Sequence, residues 1–438
     1  MTWNQMSGRN LPARRHTRRH WVAMTAAAVA VIASVTACNT DQLLNVKAPD
    51  RVPAETLADP SQAALLVNGA VADFECAFAS YALATAVMSD EFSDAQLGAA
   101  AWPYDRRDMG TQTNGIYGTN ACDSNQNPGI YTPLSTARWD ADNVLAQLQA
   151  WTDAEVGSRR TELVATSALY SGFSYTALGM SMCEAAFDLS APIGQQEMFA
   201  LAEDRFTTAI DAASQVSGMD SVVNAALVGR ARVRLFQGNG PGAITDAGEV
   251  PAGFAYKATY ASDQGRRYNR IYASTTQFGD YTVSPESRGI ETEGAVDPRS
   301  KTSLKTTRAA DPDEVIWGVD KYTGDDTPIR IASYDEAQLI EAEAKGGTDA
   351  VTIVNQIRGR YGVTAYSGPT DAASIKDLIA HERRVTLFAE GFRQYDIQRL
   401  QLPQLPAAGT AFPKGGFYAN TTCLPLPDVE RFNNPNVP

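Results

Sequence analysis

The stretch His381–Leu400, HERRVTLFAEGFRQYDIQRL, predicts an amphipathic helix in the last part of the chain. Its apolar residues Val385, Phe388, Phe392 and Tyr395 follow one another at intervals of three or four residues. Because an α-helix turns once in about 3.6 residues, this spacing places all four side chains on one face. We therefore expect the helix to pack through that face against the core of a helical protein.

Pairs of opposite charge flank this face at the i,i+3 spacing that makes helix residues neighbours. Glu390 precedes Arg393, and Asp396 precedes Arg399, so each carboxylate has an arginine within reach. A glycoside hydrolase needs an acid with a raised pKa, whereas a neighbouring arginine lowers the pKa of a carboxylate. The sequence therefore predicts structural ion pairs and no catalytic residue. His381 lies on the apolar stripe and is expected at the edge of the core.

Residues 1–37 have the pattern of a signal peptide. Five arginines and no acidic residue precede an apolar run from Trp21 to Val35, which is short for a membrane span. The sequence VTAC, which ends at Cys38, is similar to the lipobox at which bacterial lipoproteins are cleaved and acylated. We expect the signal peptide to be removed, Cys38 to be lipidated, and residues 38–59 to form a tether. An ordinary signal peptide followed by a chance cysteine is the alternative.

The charge of the chain is strongly negative. Its 438 residues include 37 basic and 50 acidic ones, which gives a formal net charge of −13. Removal of the five arginines in the signal peptide leaves 32 basic residues against the same 50 acidic ones, a net charge of −18. Nucleic acids and anionic membrane surfaces attract positively charged proteins. The composition therefore argues against both as partners and favours neutral or cationic ligands.

Four cysteines follow the predicted tether: Cys76, Cys122, Cys183 and Cys423. An exported protein folds in an oxidising compartment, so we expect two disulfides, for which three pairings are possible. His381 is the only histidine after the signal peptide, which excludes a zinc site built from several histidines. No phosphate-binding or dinucleotide-binding glycine motif occurs, so we expect no cofactor.

Helical periodicity recurs from residue 60 to residue 438, which we interpret as one α-helical domain with parts at about 60–250 and 251–438. The predicted helices lie at 60–81, 135–148, 160–187, 198–216, 221–237, 242–249, 334–345, 349–358 and 375–399. Two irregular segments, Leu83–Tyr131 and Phe254–Thr327, separate them, and a short strand is expected at Glu314–Val319. One set of residues approximates the spacing of a tetratricopeptide-like helix pair: Leu227, Ala231, Ala243, Ala247 and Pro251.

The sequence Leu424–Asn436, LPLPDVERFNNPN, predicts an extended tail, because Pro425 and Pro427 cannot donate backbone hydrogen bonds. The amphipathic helix followed by this tail resembles the carboxyl-terminal signature of the SusD/RagB family. Other parts of the family's pattern occur in order along the chain: LLNVKAP after the lipobox, Asn68-Gly69-Ala70, Glu341-Ala342-Glu343-Ala344, and the helix ending in Asn355-Gln356-Ile357-Arg358.

The resemblance implies a mostly α-helical fold, in which tetratricopeptide-like hairpins form a superhelix beside a loop-rich region with a few short strands. It implies a lipoprotein of the outer membrane that faces the cell surface, binds an oligosaccharide or a peptide, and delivers it to a TonB-dependent, SusC-like transporter. Such a protein is not an enzyme and contacts the membrane only through its lipid anchor. Two other hypotheses stay open: a lipid-anchored glycoside hydrolase, and a helical-repeat scaffold that binds only proteins.

Residues of the two irregular segments are the candidates for ligand binding. Sugar rings stack on flat apolar faces, while polar groups bind their hydroxyls. The first cluster lies about where the resemblance implies binding aromatics. The candidates are Trp102, Tyr104 and Arg106 with the preceding Asp90, and Tyr256, Tyr260, Tyr268 and Tyr272. For each aromatic residue, packing within its loop is the alternative.

Overall fold

The computed structural model describes residues 58–99, 102–110, 116–124, 126–263 and 265–437. They belong to one unit, which spans Ala58–Pro438. The predicted signal peptide, Cys38 and nearly all of the predicted tether lie outside the described residues.

Helices make up most of this unit, as predicted. In chain order they are α1 Ala63–Met88, α2 Trp102–Arg106, α3 Ile116–Thr119, α4 Tyr131–Ala150, α5 Asp153–Val156, α6 Arg160–Ser181, α7 Gln195–Ala213, α8 Asp220–Phe236, α9 Gly240–Gly248, α10 Arg270–Tyr272, α11 Tyr334–Lys345, α12 Gly347–Arg360, α13 Ala372–Thr386, α14 Arg393–Arg399 and α15 Asp428–Asn433. The first helix is apolar and long enough to cross a membrane by composition, yet most of its residues are buried against other helices.

Long helices that follow one another in sequence pack side by side. Helix α4 packs on α1 and α6, α6 on α7, α7 on α8, and α8 on α9, and the series continues through α11 to α12. Glycines allow close approach: a Cβ atom on Gly172 of α6 or Gly229 of α8 would lie 2.7 or 2.4 Å from the ring of Phe206 in α7. The predicted tetratricopeptide-like pair is formed by α8 and α9, which bury Leu227, Ala231, Ala243 and Ala247.

The strands are short, and within the described residues they form two-stranded antiparallel sheets. The pairs are β1 Phe92–Asp94 with β5 Tyr281–Val283, β2 Glu184–Ala185 with β3 Ile193–Gly194, β4 Ala255–Ala258 with β10 Ile329–Ser333, β6 Glu291–Thr292 with β7 Ala295–Val296, and β8 Thr302–Arg308 with β9 Val315–Val319. The strand predicted at Glu314–Val319 is confirmed as β9. The β1–β5 pair joins the two irregular segments, which are distant in sequence.

The prediction of one continuous helix over His381–Leu400 is wrong. Helix α13 ends at Thr386, and α14 begins at Arg393. In the turn between them, Ala389 and Gly391 have positive φ angles of 55° and 86°, which a right-handed helix cannot contain. The sequence pattern missed this turn because it continues the apolar spacing across the break.

Contacts with the end of α1 hold the turn in place. The Tyr81 hydroxyl donates to the Gly391 carbonyl at 2.6 Å, and the Glu91 carboxylate accepts from the Ala389 N–H at 3.0 Å. The predicted apolar face is nevertheless confirmed, because the structure buries all of its members: Val385, Phe388, Phe392 and Tyr395.

One of the two predicted ion pairs forms. Asp396 and Arg399 are 2.8 Å apart, whereas Glu390 pairs with Arg330 at 2.7 Å and not with Arg393. The reason is the break, because Glu390 lies in the turn and loses the helical spacing to Arg393. Asp396 and Glu390 are buried rather than on a helix surface.

Arg393 binds Asp90, the second residue after α1. Its Nε and Nη2 atoms donate to the two carboxylate oxygens at 2.7 and 2.8 Å, and both side chains are buried. The backbone carbonyl of Asp90 accepts from the hydroxyls of Ser284 and Ser287, which follow β5. Asp90 therefore connects α1, α14 and β5 at one point.

Asp90 and its neighbour Glu91 have pKa values shifted in opposite directions. Burial raises the pKa of Asp90, but the hydrogen bonds and charge of Arg393, with the charge of Arg384, outweigh burial and lower it. Burial raises the pKa of Glu91 to about 7, although the hydrogen bond from Ala389 N–H lowers it. The core therefore holds an anionic Asp90 beside a Glu91 that is protonated below neutral pH.

Two disulfides form, Cys76–Cys122 and Cys183–Cys423, with Cα separations of 5.5 and 5.1 Å. The second connects the end of α6 to the tail, where the Leu424 N–H also donates to a carbonyl of α6 at 2.8 Å. The prediction that the whole tail is extended is wrong, because α15 begins directly after Pro427. A proline there costs no helical hydrogen bond, since the first turn of a helix has no partner for its N–H groups.

Replacement of Gly391 by alanine is expected to lower the free energy of unfolding by about 2–4 kcal/mol. Its φ of 86° is unfavourable for alanine, and the new Cβ would lie 2.5 Å from the Tyr81 ring. Gly69 is the control, because it lies within α1 and a Cβ added there would meet open space. Gly69→Ala should stabilise the protein by about 0.5–1 kcal/mol. Urea unfolding midpoints measure both, and equal effects would contradict the assigned turn.

Glu91→Gln is expected to reduce the pH dependence of stability between about pH 4.5 and 7. In that range the native Glu91 keeps its proton, while the unfolded chain releases it, so the native state binds more protons. The contribution of Glu91 to the free energy of unfolding, roughly 3 kcal/mol, is therefore fully present below the pKa of the unfolded chain. It is lost as the pH rises through about 7. Unfolding curves from pH 5 to pH 8 measure this slope. An unchanged slope in Glu91→Gln would refute the assignment.

Candidate functional site

The two irregular segments meet on one side of the fold, where Tyr281 of the second segment contacts Gln126 of the first. The Tyr281 hydroxyl donates to the Gln126 carbonyl at 2.6 Å, and the Gln96 side-chain amide donates to the same carbonyl at 3.1 Å. The Trp102 indole donates to the Gln96 carbonyl at 3.5 Å. Gln96 and Tyr281 therefore meet at the loop that contains Gln126, and Trp102 contacts Gln96.

A cleft of about 400 Å³ opens beside this loop, and we call it the Tyr268 cleft. Its lining combines two aromatic rings with carboxylate, amide and guanidinium groups. The lining residues are Asp123, Gly265, Arg266, Tyr268, Gln277, Phe278 and Asp325. Phe278 keeps 42% of its surface exposed, so a large apolar group faces solvent at the cleft.

Short-range contacts fix the walls of the Tyr268 cleft. Arg266 pairs with Asp73 of α1 at 2.8 Å. Gln277 donates to the Asp325 carboxylate at 3.4 Å, and Asp325 in turn accepts through its backbone carbonyl from Asn269 N–H at 2.7 Å. Asp123 follows directly after the Cys76–Cys122 disulfide. Arg266, Gln277 and Asp325 of the cleft therefore each have a partner within the protein.

One face of the Tyr268 ring is occupied by protein. The Arg270 guanidinium carbon lies 4.0 Å from the ring centroid, and Arg270 also donates to the Tyr268 hydroxyl. Burial raises the pKa of Tyr268, whereas the charge of Arg270 lowers it, and the net shift is upward. Burial also lowers the pKa of Arg270 to about 10. Both groups keep their usual charge at neutral pH, with Tyr268 neutral and Arg270 cationic.

A second concavity, of about 210 Å³, has Phe412 in its lining, and we call it the Phe412 groove. Phe412 is 6.3 Å from Trp102 and 5.2 Å from Tyr418, measured between ring centroids. The groove is lined by Ser93, Asp94, Asp105, Pro285, Glu286, Arg288, Glu314, Pro406, Thr410, Ala411, Phe412, Pro413, Lys414 and Tyr418. It therefore brings segments from both irregular regions together with the loop before the tail.

Two buried carboxylates form the floor of the groove. Burial raises the pKa of Asp94 to about 6, although the charge of Lys414 lowers it. The pKa of Asp105 is raised to about 7 by burial, and the hydrogen bond from the Asp94 N–H opposes part of this rise. Lys414 Nζ lies 3.2 Å from Asp94 and 3.3 Å from Asp311. One of the two floor carboxylates is thus paired with a lysine.

The structure places the first predicted cluster partly in the interior. Trp102 is half-buried, with its ring near Phe412. Arg106 is also half-buried, pairs with Asp108, and has its guanidinium 6.0 Å from the Phe412 ring. Tyr104 is fully buried, and its hydroxyl donates to the Pro128 carbonyl at 2.6 Å. Asp90 is 1% exposed and binds Arg393. We therefore remove Tyr104 and Asp90 from the candidates.

The four tyrosines of the second cluster do not lie together. Tyr268 lines the cleft. Tyr256, Tyr260 and Tyr272 pack against the hydrophobic core, and the Tyr256 hydroxyl lies 3.2 Å from that of Tyr170. Closeness in sequence did not bring these three tyrosines to the cleft, because the segment folds back through β4, which pairs with β10.

Sequence reasoning missed Phe278, Gln277, Asp123 and Asp325. Only Phe278 has a sequence signal, since it is a bulky apolar residue followed by Gly279 in an irregular segment. Gly279 has a φ of 72°, and a Cβ there would meet the Arg308 carbonyl at 2.5 Å, so the turn needs glycine. The other three are ordinary loop residues whose meeting depends on tertiary contacts.

Two further polar residues of the stretch His381–Leu400 also have partners within the protein. Glu382 is fully buried between Arg299 and Arg358, at 2.7 Å from each. His381 Nε2 lies 2.7 Å from the Thr292 hydroxyl, and burial lowers the pKa of this histidine. In the part of the chain that the structure describes, no group of three or more His, Cys, Asp or Glu side chains is arranged to hold a metal ion.

Comparison with known proteins identifies the fold. Residues 252–422 match the model of the SusD family. A SusD-like carbohydrate-binding protein from Bacteroides vulgatus ATCC 8482 superposes with a TM-score of 0.67 at 16% identity, over 86% of this chain and 97% of that one. A laminarin-binding SusD-like protein gives 0.62 at 16% identity, over 87% and 98%. A SusD-like protein from Bacteroides fragilis NCTC 9343 gives 0.65 at 15% identity, over 89% and 99%.

At these identities the structural similarity establishes the fold alone. No curated protein matches the sequence. The match to the SusD family model spans residues 252–422, which begins before β4 and includes the broken helix pair α13–α14. This part of the chain is therefore similar to the SusD family, and the described residues have the SusD-like fold.

Proposed function

We propose that this protein captures neutral oligosaccharides at the Tyr268 cleft and delivers them to a TonB-dependent transporter in the outer membrane. The observation that carries the proposal is the partly exposed Phe278 ring beside Asp123, Gln277 and Asp325 in one cleft. An apolar ring beside hydrogen-bonding side chains is the combination that sugar rings require.

The size and rigidity of the cleft support this function. A volume of about 400 Å³ lies within the usual range of ligand sites. The amide of Gln277 and the carboxylates of Asp123 and Asp325 offer donors and acceptors to hydroxyl groups. Because Arg266, Asn269 and the Cys76–Cys122 disulfide hold the walls, little conformational entropy is lost on binding.

The family match and one relative point in the same direction. Residues 252–422 of the SusD match contribute most of the cleft, including Tyr268, Phe278 and Asp325. One structurally similar protein is described as laminarin-binding, and another as carbohydrate-binding. We extend that ligand class to this chain as a hypothesis. The net charge of −13, or −18 without the signal peptide, also favours neutral over anionic glycans.

The lipid anchor and the transporter are parts of the same proposal. The basic and apolar sequence before Cys38 supports export and acylation, which would hold the protein on the outer membrane at the cell surface. The stacked helices α4 to α9 offer the broad surface by which helical repeats bind other proteins. A SusC-like transporter is the partner that the family resemblance implies.

Phe278→Ala is expected to weaken glycan binding by about tenfold, because loss of the ring removes an aromatic contact worth roughly 1–2 kcal/mol. Calorimetry of the mature chain with laminarin, starch and other neutral glycans measures the affinity. Trp139→Ala is the matched control, since Trp139 is a half-exposed aromatic residue of α4 that lines neither concavity. It should bind glycans as the parent does.

Other outcomes would select the rival hypotheses. Sustained release of sugars from a glycan would identify a hydrolase, for which Asp123 and Asp325 are the carboxylates within the cleft. Binding of peptides but of no glycan would indicate peptide capture. Co-purification of a transporter without any small ligand would indicate a scaffold. Glycan binding that is unchanged in Phe278→Ala would place the site elsewhere.

Cys38→Ser is expected to abolish acylation and to release the protein from the outer-membrane fraction. The other four cysteines form disulfides, so Cys38 is the one expected to carry a thioether-linked lipid. Labelled palmitate and membrane fractionation of the producing cells measure both effects. The double variant Cys183→Ser/Cys423→Ser is the control and should stay labelled. Labelling that persists in Cys38→Ser would contradict the anchor.

A further inference from the structure

Asp105 is a buried carboxylate with one oxygen that the described protein does not use. The residue is 6% exposed and lines the Phe412 groove. Its Oδ2 accepts from the Asp94 N–H at 2.8 Å. No described residue donates a hydrogen bond to Oδ1, and this oxygen is not sealed from solvent. A buried carboxylate oxygen that remains open toward a concavity is a binding group for a donor that enters it.

The charges around the groove sum to a negative value. Lys414 is shared between Asp94 and Asp311, which leaves one negative charge. Arg107 and Lys414 are the cations whose charge acts on Asp105. On the rim, Arg288 lies between the charges of Glu286 and Glu314, which again leaves one negative charge. When Asp105 is ionised, the four lining carboxylates Asp94, Asp105, Glu286 and Glu314 outnumber the lining cations Arg288 and Lys414 by two, and the adjacent charges of Asp311 and Arg107 cancel each other.

The walls of the groove are apolar. Phe412 and Tyr418 meet edge to face at 83°, and Pro285, Pro406 and Pro413 complete the lining. Apolar side chains beside a carboxylate lower the local dielectric constant and so strengthen its interaction with a cation. The volume of about 210 Å³ is below the usual range for whole ligands. It therefore suits one sugar ring or one amino-acid side chain rather than a polymer segment.

We propose that the Phe412 groove is a subsite for a primary ammonium group, which donates to Asp105 Oδ1 while its carbon body packs against Phe412 and Tyr418. The chemistry is shared by an amino sugar and by a lysine side chain or amino terminus of a peptide. The raised pKa of Asp105 is consistent with a carboxylate that has too few partners in the free protein. The subsite is separate from the Tyr268 cleft and does not depend on the glycan proposed there.

Ligand-observed NMR of the mature chain with three sugars tests the subsite. Glucosamine carries the ammonium, N-acetylglucosamine has the same ring without the charge, and glucose lacks the nitrogen. Nα-acetyl-lysine amide tests the peptide source, with its Nε-acetylated form as the neutral match. We expect one or both amines to bind at least about tenfold more tightly than the matched neutral compounds. Equal binding of the neutral compounds, or no binding by either amine, would overturn the proposal.

Asp105→Asn is expected to reduce amine binding by about tenfold or more, since the amide keeps the shape and removes the charge. Glu314→Gln removes a negative charge from the partly exposed rim of the groove and leaves the core unchanged. It should reduce amine binding about two- to fivefold. Asp204→Asn is the control, because Asp204 is an exposed residue of α7 that pairs with Arg205 and lines neither concavity. Thermal unfolding verifies that each variant is folded. Amine binding unchanged in Asp105→Asn and Glu314→Gln would also overturn the subsite.

These variants separate the subsite from the capture proposal. Asp105→Asn should leave laminarin binding unchanged, and Phe278→Ala should leave glucosamine binding unchanged. If no glycan binds, the amine measurements still test whether the Phe412 groove binds an ammonium group.

Discussion

The buried pair between Asp90 and Arg393 is the interaction on which the positions of the other functional segments depend. Removal of two charges from water is costly, and the cost is repaid only if the geometry satisfies both groups. Here both carboxylate oxygens accept from the guanidinium, at 2.7 and 2.8 Å. Loss of Arg393 would leave Asp90 with only Arg384, at 3.4 Å, and loss of Asp90 would leave both donors of Arg393 without their carboxylate. The pair therefore favours the register in which α1 and α14 meet here.

That register is transmitted to both concavities. Glu91 follows Asp90 and leads directly into β1. Two residues of β1, Ser93 and Asp94, line the Phe412 groove. The carbonyls of Asp90 and Glu91 hold the residues after β5, and the residues before β5 include Gln277 and Phe278 of the Tyr268 cleft. The irregular segments are therefore placed by a polar joint in the core and not by long regular strands.

The sequence predicted the architecture better than it predicted the site. The helical periodicity, the buried face of the broken helix and the α8–α9 pair follow from local spacing, which is visible in a single chain. The turn at Ala389 and Gly391 does not, because it forms through Tyr81 and Glu91, which are about three hundred residues away in sequence. Asp90 shows the same limit: it looked like a loop carboxylate because its partner Arg393 was assigned to Glu390.

For ligand binding, aromatic content was informative only where tertiary contacts left a ring exposed. Tyr256, Tyr260 and Tyr272 pack on the core, while Phe278 stays exposed because a tight glycine turn follows it. Aromatic side chains supply core packing and ligand stacking through the same apolar surface, so their type does not distinguish the two roles. The exposure of a ring distinguishes the two roles. It depends on strand pairings such as β4–β10 and β1–β5, which the sequence of the irregular segments does not predict.

Gln96 couples the two concavities physically. Its backbone carbonyl accepts from Lys414 at 2.8 Å and from the Trp102 indole, while its side chain donates to Gln126 beside the Tyr268 cleft. A ligand long enough to reach both concavities would therefore meet two sites held at a fixed spacing. Binding at the first site would raise the effective concentration at the second, so two weak contacts would combine into a tight one.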